Sequence, residues 1–116
     1  MKKVKATREG LIGGITASGY KIDKVVPFVA LPDTKALFRF VRIKANDKQV
    51  IAIVLDVGPW NEHDSDYVFG PNQPAAESGI DTRGRITNKA GIDLSEKIWK
   101  QLDMKDNGPV EWEFIE

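Results

Sequence analysis

The sequence contains no cysteine and only one histidine, and the scarcity of these two residue types excludes several kinds of site. Without cysteine there are no disulfides, thiolate metal ligands or thiol nucleophiles. The sequence favours no particular compartment, because a chain without thiols tolerates reducing and oxidising surroundings alike. His63 stands with Glu62, Asp64 and Asp66, but a second histidine and the glycine and terminal glutamate of a calcium loop are lacking. We therefore expect solvated loop charge here, with no metal and no other cofactor.

The chain also lacks an excess of charge and any long apolar run. Lys and Arg number 17, as do Asp and Glu, so no basic field favours nucleic acid. No apolar stretch approaches the length of a membrane span. Met1-Lys2-Lys3 is not followed by an apolar segment, so we expect no signal peptide in this chain. Gly10, Gly13 and Gly14 do not join a strand to a helix, which argues against a phosphate-binding loop.

What is present predicts one domain, residues 1–116, built mainly of strands. The apolar pattern predicts strands over residues 4–8, 25–31, 38–44, 49–57 and 110–114, and one helix over residues 95–102. Asn46-Asp47-Lys48 predicts a hairpin turn between the third and fourth strands. Residues 58–91 are too long and polar for an ordinary connection, which is typical of a functional loop. The expected fold is a small β-barrel with a short C-terminal helix and a long loop.

Two carboxylates frame that long loop. The apolar run of residues 50–55 ends on Asp56, and the chain returns through Asp93 at the predicted start of the helix. A carboxylate at the end of a buried strand can have its pKa raised by desolvation, which would suit Asp56 to general acid/base catalysis. Alternatively, Asp56 accepts backbone N–H bonds and holds the loop. Asp93 can act with Asp56, or it can be the N-cap of the helix, with Glu96 reaching back as in a capping box.

Aromatic and basic residues complete the candidate site. Trp60, Tyr67 and Tyr20 can stack on a sugar ring, or they can simply pack and anchor the loop. Arg83 and Arg85 can bind a glycan carboxylate or pair with nearby acids. The sequence alone does not decide between stacking and packing for the aromatic residues, or between glycan binding and ion pairing for the arginines.

Four short segments occur in an order that resembles the rare lipoprotein A-like double-psi β-barrel family. They are Thr16-Ala17-Ser18-Gly19, Ala30-Leu31-Pro32, Asp56-Val57-Gly58-Pro59 and Ile92-Asp93-Leu94-Ser95. Expansins and related endoglucanases share this barrel, and the resemblance covers residues 5–115. It implies a six-stranded double-psi β-barrel with a cleft across one face. It also implies action on cell-wall polysaccharide, either lytic transglycosylase cleavage of peptidoglycan or loosening without hydrolysis.

The resemblance extends to individual site positions. Asp56 matches the aspartate of the family's Asp-x-Gly-Pro motif, and Asp93 matches an aspartate required in bacterial expansins. Tyr20 and Phe28 stand where active members carry an acidic residue and a histidine. Cleavage by Asp56 as acid/base and binding without cleavage are therefore both open. The family implies a site of action in the cell envelope or outside the cell.

A second interpretation belongs to another class of protein. The chain can be a structural or protein-interaction barrel, such as an accessory domain of a phage or envelope assembly. Asp56 and Asp93 would then serve as turn and capping residues, and the long loop would contact a protein. The sequence leaves the glycan, the bond and the oligomeric state undetermined.

Overall fold

The computed structural model describes residues 1–115, in which six strands close into a barrel. The strands are β1 (Lys2–Arg8), β2 (Phe28–Leu31), β3 (Phe40–Ala45), β4 (Lys48–Val57), β5 (Ala90–Leu94) and β6 (Gly108–Phe114). Around the barrel their order is β1-β5-β2-β4-β3-β6. The predicted mainly β fold, a six-stranded double-psi β-barrel, is confirmed.

The long loop follows from the strand order. Strand β1 runs parallel to β5, and β2 runs parallel to β4, whereas the other neighbouring pairs are antiparallel. A chain that leaves β4 must travel around the barrel before β5 can lie between β1 and β2. The connection over residues 58–89 spans this distance, and it contains the short helix α1 (Ser65–Val68) and the 3-10 helix Ala75–Ser78.

The barrel interior is filled by the inward-facing residues of all six strands, closed by α2 (Glu96–Gln101). The largest fully buried side chains are Trp112 and Tyr67. A smaller apolar cluster lies outside the barrel, where Phe28 packs with Ile22 and Leu55 under the 10–26 loop. The outward-facing strand residues are thereby left to form the surface on which a site can be built.

Local sequence explains where the elements begin. The hairpin predicted at residues 46–48 is present, and Asn46 and Asp47 take φ values of 51° and 62°, a conformation these residue types tolerate well. The second strand begins at Phe28 rather than at residue 25, and Val25 is 70% exposed. The reason is a turn in which the Asp23 carboxylate accepts bonds from the N–H groups of Val25 and Val26. The prediction of a single helix was also incomplete, because α1 precedes the C-terminal helix.

The capping role proposed for Asp93 was wrong. Helix α2 is capped by Ser95, whose Oγ accepts a bond from the N–H of Ile98 at 3.4 Å. Glu96 does not reach back, since its carboxylate forms a two-pronged ion pair with Arg8 at 2.6 and 2.7 Å. Asp93 is the fourth residue of strand β5, three positions before the first residue of α2, so its side chain is free for another role.

Candidate functional site

The candidate site begins as a row of side chains across four neighbouring strands. Thr7 on β1 pairs with Asp93 on β5, and Asp93 pairs in turn with Ala30 on β2. Ala30 pairs with Asp56 on β4. Residues opposite one another on adjacent strands point to the same face, and the core contains the strand neighbours of Ala30 and Asp93, namely Val29, Leu31, Ile92 and Leu94. The two aspartates therefore lie on one outer face, separated by a residue with a single methyl group.

Asp93 lies at the centre of this row. Its Oδ1 accepts a short hydrogen bond from the Thr7 hydroxyl. Burial raises the pKa of Asp93 to about 6, and the charge of Asp56 adds to the rise, while the bond from Thr7 opposes it. A carboxyl with such a pKa exchanges its proton near neutral pH, which is the property required of a general acid or base.

Glu9 joins the two aspartates, and the sequence alone did not indicate it. Its backbone N–H donates to the carbonyl of Leu94, which holds it beside the end of β5. Its Oε2 is buried and has no partner within residues 1–115. Burial raises the pKa of Glu9 to about 9, helped by a hydrogen bond to Asp56 and by the charges of both aspartates. Glu9 is therefore a neutral acid at pH 7 and can donate its proton toward Asp56.

Asp56 fills the structural role that its position in the sequence allowed. Its Oδ1 accepts bonds from the N–H groups of Ala17 at 2.8 Å and Val57 at 2.9 Å, so it holds the 10–26 loop against the barrel. These bonds engage one oxygen, and the carboxylate also interacts with Glu9 and Asp93. Asp56 is thus a structural acceptor within a cluster of three carboxyl groups, called the carboxyl cluster below: Glu9, Asp56 and Asp93.

An open groove of about 570 Å³ contains Trp60 and Asp93, the one member of the carboxyl cluster that lines it. The rest of its lining consists of Thr7, Arg8, Pro59, Asn88 and Asn107. The Trp60 ring is held in place, because its Nε1–H donates to Asn88 Oδ1 at 2.8 Å. The groove therefore contains both a fixed indole ring and an acid of near-neutral pKa.

Gly58 allows the loop to leave the barrel at this point. Its φ is +139°, which L side chains rarely adopt, and a Cβ there would lie 3.9 Å from Asp93 Oδ2. Trp60 also has a positive φ, 71°, and backbone strain of this kind is often found at functional sites. The Asp-x-Gly-Pro-Trp segment thus places Trp60 in the groove that Asp93 also lines.

Arg85 contacts Trp60 from the other side. Its Nη2 donates to the Trp60 carbonyl at 2.7 Å, and its guanidinium lies 5.9 Å from the centre of the Trp60 ring. Its Nε pairs with Asp81, whose carboxylate also accepts bonds from two backbone N–H groups. The pairing alternative considered for Arg85 is therefore present, and the same residue supports Trp60.

The tyrosines expected to bind sugar lie elsewhere. Tyr67 is fully buried, so the proposal that it contacts substrate was wrong. Its hydroxyl donates to the Gly91 carbonyl and accepts a bond from Trp112 Nε1, which explains its burial. Tyr20 packs edge to face on Phe28 and bonds to Asp23, and it does not line the groove. Phe28 itself is buried, so the position matched to the family's histidine belongs to the apolar cluster.

Within residues 1–115 no group of three or more histidine or acidic side chains is arranged to hold a metal ion. Within the same range there is also no helix with the length and apolar character needed to cross a membrane.

Comparisons with known proteins agree with the geometry at the level of the fold, which defines the chain as a double-psi β-barrel. More particularly, the chain belongs to the family described as Domain of unknown function (DUF8814), whose profile matches residues 1–73. No curated protein has a significantly similar sequence.

Two solved structures are similar in fold. The Streptomyces papain inhibitor (SPI) is 17% identical with a TM-score of 0.59, and the match covers 99% of this chain and 96% of the inhibitor. A mutant Clavibacter michiganensis expansin in complex with cellohexaose is 13% identical with a TM-score of 0.57. That match covers 99% of this chain but 51% of the expansin chain, so this chain spans about half the expansin's length.

Proposed function

We propose that this protein is a cell-wall glycan-binding barrel, and that the groove between Trp60 and Asp93 holds the sugar chain. The observation that carries the proposal is the indole ring fixed in the same groove as Asp93. Indole rings offer a flat apolar face with a polar edge, which suits the alternating polarity of a pyranose ring. The fold shared with an expansin crystallised with cellohexaose supports a glycan ligand.

Acid chemistry of the lytic transglycosylase type is the second part of the proposal. In such a reaction a hydroxyl of the sugar attacks its own anomeric carbon and gives up its proton to a carboxylate, while the glycosidic bond breaks and the leaving oxygen takes up a proton from a carboxylic acid. Asp93 is suited to supply that proton, because it lines the groove and its pKa lies near 6. Asp56, the acid/base expected from the sequence, would act beside Asp93. Its negative charge favours the protonated form of Asp93, and its carboxylate accepts a hydrogen bond from Glu9.

A digest of purified peptidoglycan sacculi, analysed by mass spectrometry, tests both parts. We expect the wild type to co-sediment with sacculi and Trp60→Ala to lose at least about tenfold in affinity, the loss expected when a stacking ring is removed. Phe38→Ala is the matched control, since Phe38 is an exposed aromatic residue that does not line the groove. Anhydro-muropeptides formed by the wild type, and by neither Asp56→Asn nor Asp93→Asn, would establish cleavage.

The other outcomes are equally informative. Binding without products would leave a glycan-binding module and reject the catalytic part. Neither binding nor products would contradict the proposal and favour the protein-interaction barrel.

One observation favours that second function. The loops on either side of the site carry exposed apolar residues, among them Leu11 and Ile15 on one loop and Ile80 and Ile86 on the other. Exposed apolar side chains grouped at loop tips are typical of protein-binding surfaces. Since the SPI structure has the same fold, inhibition of papain is the first assay for this function.

A further inference from the structure

A second pocket adjoins the groove at Trp60. It has a volume of about 220 Å³, and Trp60 lines both this pocket and the groove. Its lining is more basic than that of the groove, since it contains Arg83, Arg85 and His63 with Glu62 as its one acidic residue, whereas the groove contains Asp93 and one arginine, Arg8, which is paired with Glu96. A ligand that crosses Trp60 would therefore meet Asp93 on one side and the guanidinium groups of Arg83 and Arg85 on the other.

Asn61 is the residue in this pocket whose hydrogen bonds are incomplete. It is 4% exposed, and its Oδ1 accepts bonds from the backbone N–H and the hydroxyl of Thr82 at 3.0 and 2.9 Å. These two donors fix which end of the amide is the oxygen. Its Nδ2 is buried and has no partner among residues 1–115. Leaving a buried donor unpaired is unfavourable, so the position favours a ligand that brings an acceptor.

Arg83 is the guanidinium available to such a ligand. Arg85 is already paired with Asp81 and bonded to Trp60, whereas Arg83 has no carboxylate within ion-pair distance in the described part of the chain. The backbone N–H of Arg83 bonds to Asp81, which fixes the base of the side chain beside the pocket. An arginine fork and a neighbouring amide N–H together match the geometry of a carboxylate.

We propose that this pocket is a carboxylate subsite, in which Asn61 Nδ2 and the Arg83 guanidinium bind the acidic group of a sugar held across Trp60. The assignment of a sugar as the ligand rests on the proposed function, whereas the recognition of a carboxylate by Asn61 and Arg83 does not. The ligand class that follows is an acidic polysaccharide, with carboxylates carried either as lactyl ethers or as uronic acids. The protein would then prefer acidic glycans to neutral ones of the same length.

Calorimetric titration with three hexasaccharides tests this preference. Chitohexaose is the neutral probe, a strand of alternating N-acetylglucosamine and N-acetylmuramic acid carries lactyl carboxylates, and hexagalacturonate carries uronic acids. We expect at least one acidic probe to bind about tenfold more tightly than chitohexaose, and the stronger of the two identifies the source of the carboxylate. Equal affinity of the wild type for all three would overturn the subsite.

Two variants and a control locate the preference. Asn61→Asp keeps the oxygen that Thr82 needs but replaces the Nδ2 donor with a second acceptor. It should abolish the preference for the acidic probe, as should Arg83→Gln, while chitohexaose affinity stays within about twofold. Lys48→Gln removes one positive charge at the distant β3–β4 hairpin and should change neither affinity. An equal loss for neutral and acidic probes in Arg83→Gln would refute the proposal.

A separate measurement covers the case in which no hexasaccharide binds. That result would reject the proposed glycan function, and the subsite is then tested with D-glucuronate against D-glucose by NMR. A saturable shift of the Asn61 side-chain amide with glucuronate alone would support the carboxylate subsite. No shift, or equal shifts with both sugars, would overturn it.

Discussion

Glu9 is the single residue whose chemistry depends most on its surroundings. In an exposed position its carboxyl would be ionised at neutral pH, but burial and two neighbouring acids raise its pKa to about 9. Because the pKa is raised on folding, the folded state binds more protons than the unfolded state between pH 4.5 and about 9. The free energy of unfolding should therefore fall as pH rises through that window.

Glu9→Gln should remove this pH dependence. Glutamine stays neutral at every pH and can donate its amide N–H toward Asp56, so the variant should lose less stability on alkalinisation. Between pH 5 and pH 8 we expect the wild type to lose roughly 2–4 kcal/mol more than the variant. Urea denaturation at a series of pH values measures the difference.

The matched control is Glu77→Gln, which makes the same chemical change at an exposed site. Its stability should follow the wild type across the whole pH range. Parallel pH profiles for the wild type and Glu9→Gln would contradict the raised pKa and the neutral acid at the centre of the site.

At the scale of elements, the junction between β5 and α2 sets the position of Asp93. Ser95 ends the strand and begins the helix, and it also bonds to β2. Its backbone N–H donates to the Phe28 carbonyl, and its Oγ accepts bonds from the N–H groups of Phe28 and Ile98. One buried hydroxyl thus joins two strands and a helix just beyond the row that carries Asp93.

Ser95→Ala should therefore cost more than the loss of an ordinary helix cap. The change removes the cap and leaves the buried Phe28 N–H without its partner, so we expect a loss of about 1–3 kcal/mol in the free energy of unfolding. The comparison is Ser78→Ala, since Ser78 is exposed and also bonds to nearby carbonyls. Chemical denaturation of both variants gives the result, and equal losses would show that Ser95 acts only as a local cap.

At the scale of the whole molecule, the long loop is held by Tyr67. The tyrosine comes from α1 in that loop, and its hydroxyl bonds to Gly91 of β5 and to Trp112 of β6. Gly91 has no room for a Cβ, which would meet Pro74 Cγ at 2.6 Å and the Tyr67 hydroxyl at 3.1 Å. The loop that carries Trp60 is therefore packed into the barrel wall.

Tyr67→Phe should weaken the barrel and the groove together. The change leaves the buried Trp112 N–H and Gly91 carbonyl without a partner, and we expect a loss of about 2–4 kcal/mol in stability. Tyr20→Phe is the control, because the Tyr20 hydroxyl is only partly buried and should cost less than about 1 kcal/mol. Thermal and urea unfolding distinguish the two, and a loss of similar size in both variants would contradict this role for Tyr67.

Much of the fold could be predicted from the sequence, because it depends on neighbours along the chain. Alternating and continuous apolar runs indicated most strands, Asn46 and Asp47 indicated the hairpin, and the helical pattern indicated α2. Asp56 and Asp93 could be selected because each interrupts or ends an apolar segment. These features express local preferences for turn, strand and helix, which do not depend on the rest of the molecule.

The composition of the site was decided by tertiary structure. Thr7 and Asp93 are 86 residues apart in sequence, and they meet only because β5 inserts beside β1. Glu9 follows a strand in a polar, glycine-rich segment, and nothing local marks it as a buried acid. Tyr67 lies in a polar stretch of sequence that predicts a surface loop, but its side chain is buried in the core. Strand order determines which residues become neighbours and lose water, and so it determines which carboxyl groups keep their protons.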